Sequence, residues 1–69
     1  MPLTMAQTGI ANEIKKINGK DETRRFLESL GFVVGSLVTV VSEVGGNVII
    51  NVKNTRIALD KGMASRIII

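Results

Sequence analysis

The side chains here that could do chemistry are six carboxylates, nine cations and the serine and threonine hydroxyls; the 69 residues include no cysteine and no histidine. Without imidazole the chain lacks the commonest general base and the commonest transition-metal ligand. Without thiols there is no disulfide, no thiolate metal site and no cysteine nucleophile. The hydroxyls have no histidine to activate them, and no Lys–Ser pair stands at motif spacing. Ferrous iron favours imidazole combined with carboxylate or thiolate, and only the carboxylate is present. Of Glu13, Asp21, Glu22, Glu28, Glu43 and Asp60, only Asp21 and Glu22 are adjacent. There they read as negative charge complementing a helix N-terminus rather than as metal ligands. Met1, Met5 and Met63 share no repeated spacing and read as core or tail. Gly31 and Gly35 follow a helical pattern and precede a strand, with no lysine after them, which is the wrong context for a phosphate-cradling loop. The expectation is a chain with no catalytic residue, no cofactor and no metal site, and no tight hold on Fe²⁺ when isolated.

The cations suggest a second chemistry, charge recognition. A net charge of +3 and a pI near 9.8 make the chain mildly basic. Lys15, Lys16, Lys20, Arg24 and Arg25 could gather around one turn and one helix. Binding single-stranded nucleic acid on a small barrel normally adds stacking aromatics, and capturing a proline-rich peptide needs an aromatic-lined groove. Phe26 and Phe32 are the only aromatic residues, both at helix-packing positions. The basic residues therefore read as solvated surface, with weak, salt-sensitive nucleic-acid affinity expected. Protein–protein contact has a better candidate. Phe32-Val33-Val34 places three apolar residues between Gly31 and Gly35. Phe32 is expected in the core, but Val33 and Val34 cannot both point inward with it. An apolar spot at Val33 and Val34, beside Arg24, Arg25 and Glu28, is the candidate partner surface, with ordinary packing as the competing reading.

These residues must be held by one domain, 1–69, because the length admits no second. Mean hydropathy of +0.30 with 22% charged residues argues against disorder. The N-terminal stretch is unlike a secretory signal, and no apolar run approaches the roughly 20 residues that span a bilayer, so a soluble cytoplasmic protein is expected. Met1–Thr8 has no clear period and reads as a loose lead-in with some apolar anchoring by Leu3 and Met5. Gly9–Ile17 spaces Ile10, Ile14 and Ile17 helically, yet its β-branched residues and the Asn18-Gly19 turn favour a strand, bulged if anything. Asp21 is placed to cap a helix over 21–30 whose apolar face is Thr23, Phe26, Leu27 and Leu30. Gly31 suits its left-handed C′ position, with Phe32 packing back. Leu37–Val41 reads as a strand buried on both faces. Gly45-Gly46-Asn47 and Asn54-Thr55 read as turns on either side of a Val48–Lys53 strand. Arg56–Asp60 is a further strand, Lys61–Ser65 a single helical turn and Arg66–Ile69 a closing strand. About five short strands and one helix in so short a chain are most economical as a small closed barrel without exposed edges.

The string Arg25-Phe26-Leu27-Glu28-Ser29-Leu30-Gly31-Phe32-Val33-Val34-Gly35, followed by Leu37-Val38-Thr39-Val40, resembles the signature of the FeoA family, approximately R-x-L-x-x-L-G-hydrophobic-x-P-G-x-x-V-x-V. The Ile57-Ala58-Leu59 strand, the short turn after it and the Arg66–Ile69 strand resemble the family's ending, so the likeness runs from Gly9 to Ile69. Two departures stand out: Val34 replaces the usual proline before the second glycine, and the 43–47 loop is shorter than the family's. The resemblance implies an SH3-like small barrel, mainly β with one helix. It also implies a non-enzymatic cytosolic accessory protein of bacterial ferrous iron uptake. The implied partner is FeoB, a membrane permease carrying a GTP-binding domain, so contact with the membrane would be indirect. The same fold occurs as the C-terminal domain of iron-dependent repressors, which makes a stand-alone relative of that domain an alternative, alongside a small basic module binding RNA or DNA.

Overall fold

The computed structural model describes all 69 residues. A 3-10 turn at Leu3–Met5 is followed by β1 (Ala11–Glu13), β2 (Lys16–Ile17), α1 (Asp21–Ser29), β3 (Leu37–Val44), β4 (Asn47–Val52), β5 (Thr55–Asp60), α2 (Lys61–Ala64) and β6 (Ile67–Ile68). Antiparallel pairing arranges a four-stranded sheet in the order β1-β3-β4-β5 and a two-stranded sheet of β2 and β6. The result is mainly β with one principal helix, a small SH3-like fold of six strands. The barrel is not closed. β1 and β5 are the edges of the larger sheet, so the expected edgeless barrel is replaced by an open one.

The sixth strand arises because the expected Gly9–Ile17 strand is divided. The Ile14 N–H donates to the Ser36 carbonyl at 2.9 Å, whereas the Lys15 N–H donates to the Ile68 carbonyl at 2.8 Å. One residue thus transfers the chain from the larger sheet to the smaller. Ile14 lies at that corner and is fully buried, and its helix-like spacing from Ile10 and Ile17 reflects two strands in different sheets.

Both hairpins of the larger sheet turn on two residues with positive φ, the combination that matches right-handed strand twist. Gly45 and Gly46 (φ 57° and 84°) join β3 to β4, while Lys53 and Asn54 (φ 50° and 62°) join β4 to β5. The second turn therefore sits one residue before the expected Asn54-Thr55, and Thr55 already pairs with Val52. β3 extends to Val44, with a bulge at Val41, since Val40 faces Ile50 and Ser42 faces Ile49. Its burial is one-sided: Val38 and Val40 are in the core, but Leu37 is 63% exposed and Thr39 and Val41 only partly covered. The strand buried on both faces is therefore corrected to one face, because nothing packs on the outer side of the larger sheet to dry it.

The inner face contributes Val38, Val40, Val48, Ile50, Val52 and Leu59. Ile14, Ile17 and Ile67 from the smaller sheet and its corner join them, with Leu27 of α1, Phe32, Ala64 and Leu3. Leu3 is fully buried, and a bridge between Pro2 and Ile68 holds the first residues against β6. The loose lead-in is thus a docked segment at its start, although Met5 is exposed.

Candidate partner-binding surface

α1 begins one residue away from the expected cap. Lys20, in extended conformation, occupies the N-cap position without a side-chain bond, and Asp21 is the first helical residue. Asp21 and Glu22 still lie in the first turn, where negative charge offsets the helix dipole. A true side-chain cap occurs at α2 instead, where Asp60 Oδ1 accepts the Met63 N–H at 2.7 Å.

The helix end is built as its glycine implied. The Gly31 N–H donates to the Glu28 carbonyl at 2.9 Å and the Phe32 N–H to the Leu27 carbonyl at 3.0 Å, with Gly31 at φ +107°. These are the two bonds of a Schellman ending. They turn the chain so that Phe32 drops into the core, fully buried, next to Leu27. A Cβ at Gly31 would lie 3.6 Å from Lys53 Cδ and 3.8 Å from Val52, so the helix end abuts the β4–β5 hairpin.

A second turn follows at once. The Ser36 N–H donates to the Val33 carbonyl at 3.0 Å around Gly35, whose φ is +93°. This is the pattern of a type II turn with Val34 at its first corner. The Gly35 N–H, bonded to the Ile14 carbonyl at 2.8 Å, fastens the turn to the sheet corner. Val34 is 65% exposed and Val33 partly covered. The Val34 N–H has no hydrogen-bond partner, so proline fits the position chemically as well as sterically. Val34→Pro is expected to stabilise the fold by about 0.4–1 kcal/mol by restricting the unfolded chain, read as a higher urea midpoint at unchanged m-value.

Of the expected surface residues, Arg24, Arg25 and Glu28 are all exposed on α1. Arg24 Nη2 lies 3.5 Å from Asp21 Oδ1, a solvated pair one helical turn apart. Phe26 was expected on the packed face but is 49% exposed. Of the nine helix residues only Leu27 is buried in the core, Phe32 joins it there from beyond the helix end, and Phe26 is left outside. The segment from Arg24 to Val34 therefore presents two large apolar side chains, Phe26 and Val34, among charged ones. Sequence periodicity missed Phe26; its lone aromatic ring beside two arginines was the available signal. The molecule has no pocket, no group of three or more carboxylates gathered for a metal, and no helix long and apolar enough to cross a membrane.

Fold and surface together define a small SH3-like domain that offers protruding side chains rather than a cleft. The FeoA domain pattern matches residues 1–69, and the chain belongs to the FeoA family. A protein of Methanocaldococcus jannaschii described as Fe(2+) transport protein A is 34% identical over 68 residues, covering 99% of this chain and 83% of the relative. The zinc-complexed FeoA of Stenotrophomonas maltophilia, described as a prokaryotic SH3 domain protein, superposes with a TM-score of 0.83 at 30% identity, covering 99% of this chain and 87% of that one. A manganese-dependent transcriptional repressor shares the fold, with a TM-score of 0.85 at 18% identity, over 97% of this chain and 39% of its own.

Proposed function

We propose that this protein is a non-enzymatic cytosolic accessory protein of ferrous iron uptake that acts by docking on the cytosolic domains of a FeoB-type GTP-binding permease. The observation that carries the reading is the pattern along 24–34: Leu27 and Phe32 are fully buried, while Phe26 just before them and Val34 just after them stay in solvent. Apolar side chains held out by a rigid helix ending, beside Arg24, Arg25 and Glu28, have the composition of a contact patch. Val33 adds its exposed portion to that patch. Family membership supplies the transport system, and the similar protein described as Fe(2+) transport protein A supports it. The fold shared with 39% of a manganese-dependent transcriptional repressor keeps a second reading in view, a stand-alone relative of the C-terminal domain of iron-dependent repressors.

The test is the double variant Arg24→Glu/Arg25→Glu. Both side chains lie off the packed face, and the Arg24–Asp21 pair is exposed, so thermal melting should stay put. Affinity for the permease's cytosolic domains should fall about tenfold or more, corresponding to about 1.4 kcal/mol. Unchanged affinity would move the partner site to the Val33–Val34 turn or the sheet.

A further inference from the structure

The free edge of β5 carries a pattern that the proposed docking surface does not use. Thr55–Asp60 pairs with β4 on one side only. Natural proteins protect such edges with charged side chains, proline, bulges or a covering loop; β5 (Thr-Arg-Ile-Ala-Leu-Asp) has no proline and no bulge, and its only charges are Arg56 and Asp60, of opposite sign. In a two-residue hairpin the flanking pair, here Val52 and Thr55, exchanges both backbone bonds, and bonded and non-bonded pairs then alternate. Thr55, Ile57 and Leu59 therefore direct their backbone groups to β4, whereas Arg56, Ala58 and Asp60 direct theirs outward. Those same three residues have exposed side chains.

We infer that β5 pairs antiparallel with β5 of a second copy of this chain, on a two-fold axis through Ala58. Two constraints select this register. The outward backbone groups belong to the even-numbered residues, so an antiparallel partner must set even against even. The longest overlap, centred between Ile57 and Ala58, sets odd against even and leaves the bonds unmatched. Of the registers that remain, centring on Ala58 places each Arg56 opposite the other copy's Asp60. Opposite charges directly across an antiparallel pair stabilise it, and like charges there oppose it. Neither residue has an ion-pair partner within the monomer, where the ion pairs are Arg24–Asp21 and Lys61–Glu43. Asp60 keeps one oxygen for Met63 and has the other for arginine. At the centre Ala58 faces Ala58, small enough for close approach. On the inner face Ile57, only partly buried, comes opposite Leu59. The larger sheets of the two copies join into one continuous sheet, an isologous arrangement closed by the two-fold axis.

The experiment is sedimentation velocity of the full chain from about 10 µM to about 1 mM, a range that reports dimers of modest affinity. The expected result is a mass rising from monomer to dimer, with weaker association at high salt. Arg56→Glu sets like charges opposite each other at both ends of the ladder and should weaken the dimer about tenfold or more. Lys15→Glu changes net charge equally at the sheet corner and should not weaken it. Ala58→Pro removes an N–H that faces only the partner, as edge strands tolerate; it should abolish the dimer while cooperative melting persists. A chain that stays monomeric at 1 mM, or a dimer that neither Arg56→Glu nor Ala58→Pro weakens, overturns the inference and leaves the edge to a strand of another protein.

Discussion

Phe32→Ala is expected to lower stability by about 3–5 kcal/mol, the largest loss from any single truncation in this chain. Phe32 heads the fully buried side chains by volume. It is fixed from both sides, by the Schellman ending before it and the type II turn after it, so the cavity cannot collapse by moving the backbone. Domains below about 70–80 residues rarely gain more than about 3–5 kcal/mol from a single core. The variant should therefore be largely unfolded at room temperature, seen as loss of cooperative thermal unfolding. The informative contrast is Phe26→Ala, the same chemical change six residues earlier. With Phe26 half in solvent and alanine the better helix former, that variant should stay within about 1 kcal/mol of the parent. Equal losses at the two sites would mean that the helix is rotated from its described phase.

Leu3→Ala is expected to cost about 2–5 kcal/mol, the range for a fully buried leucine. Leu3 belongs to the common core with the strands, and α2 packs against its 3-10 turn. Met5, two residues on, is exposed, and Met5→Ala should fall within about 0.5 kcal/mol of zero. Urea titration distinguishes the two cases: the midpoint should drop sharply for Leu3→Ala and hold for Met5→Ala, with similar slopes. A small loss at Leu3 would mean that the first residues do not contribute to the core.

The parts of this fold legible in the sequence are those encoded locally. Gly31 and Phe32 announce a helix ending because a left-handed C′ residue and a following hydrophobe are needed within two positions of each other. Gly45-Gly46 announces a hairpin for a similar reason. Leu3 was legible only as one of two apolar anchors, with Met5: a single buried side chain in a 3-10 turn has no period, and the docking that buries it involves β6, more than sixty residues later. Ile10, Ile14 and Ile17 misled because their spacing spans a change of sheet, which depends on where Ser36 and Ile68 arrive. Closure of the barrel failed as an expectation for a similar reason: whether β1 meets β5 is a matter of sheet order, not of either strand's composition. For the surface, Arg24, Arg25 and Glu28 were readable as solvent-facing from helix phase. Phe26 was not, because a stripe marks which residues could pack, while the width of the contact decides which of them do.

The docking of the first residues has a topological consequence. The Ile69 N–H donates to the Met1 carbonyl at 2.8 Å, next to the Pro2–Ile68 bridge. Met1 and Ile69 are therefore in bonding contact, and the backbone between them traces a nearly complete ring whose gap a very short linker would span. Such a ring has no privileged starting point. It can be opened at Gly45-Gly46, an exposed turn away from the core, or carried as an inset within a loop of another polypeptide without pulling that loop's ends apart.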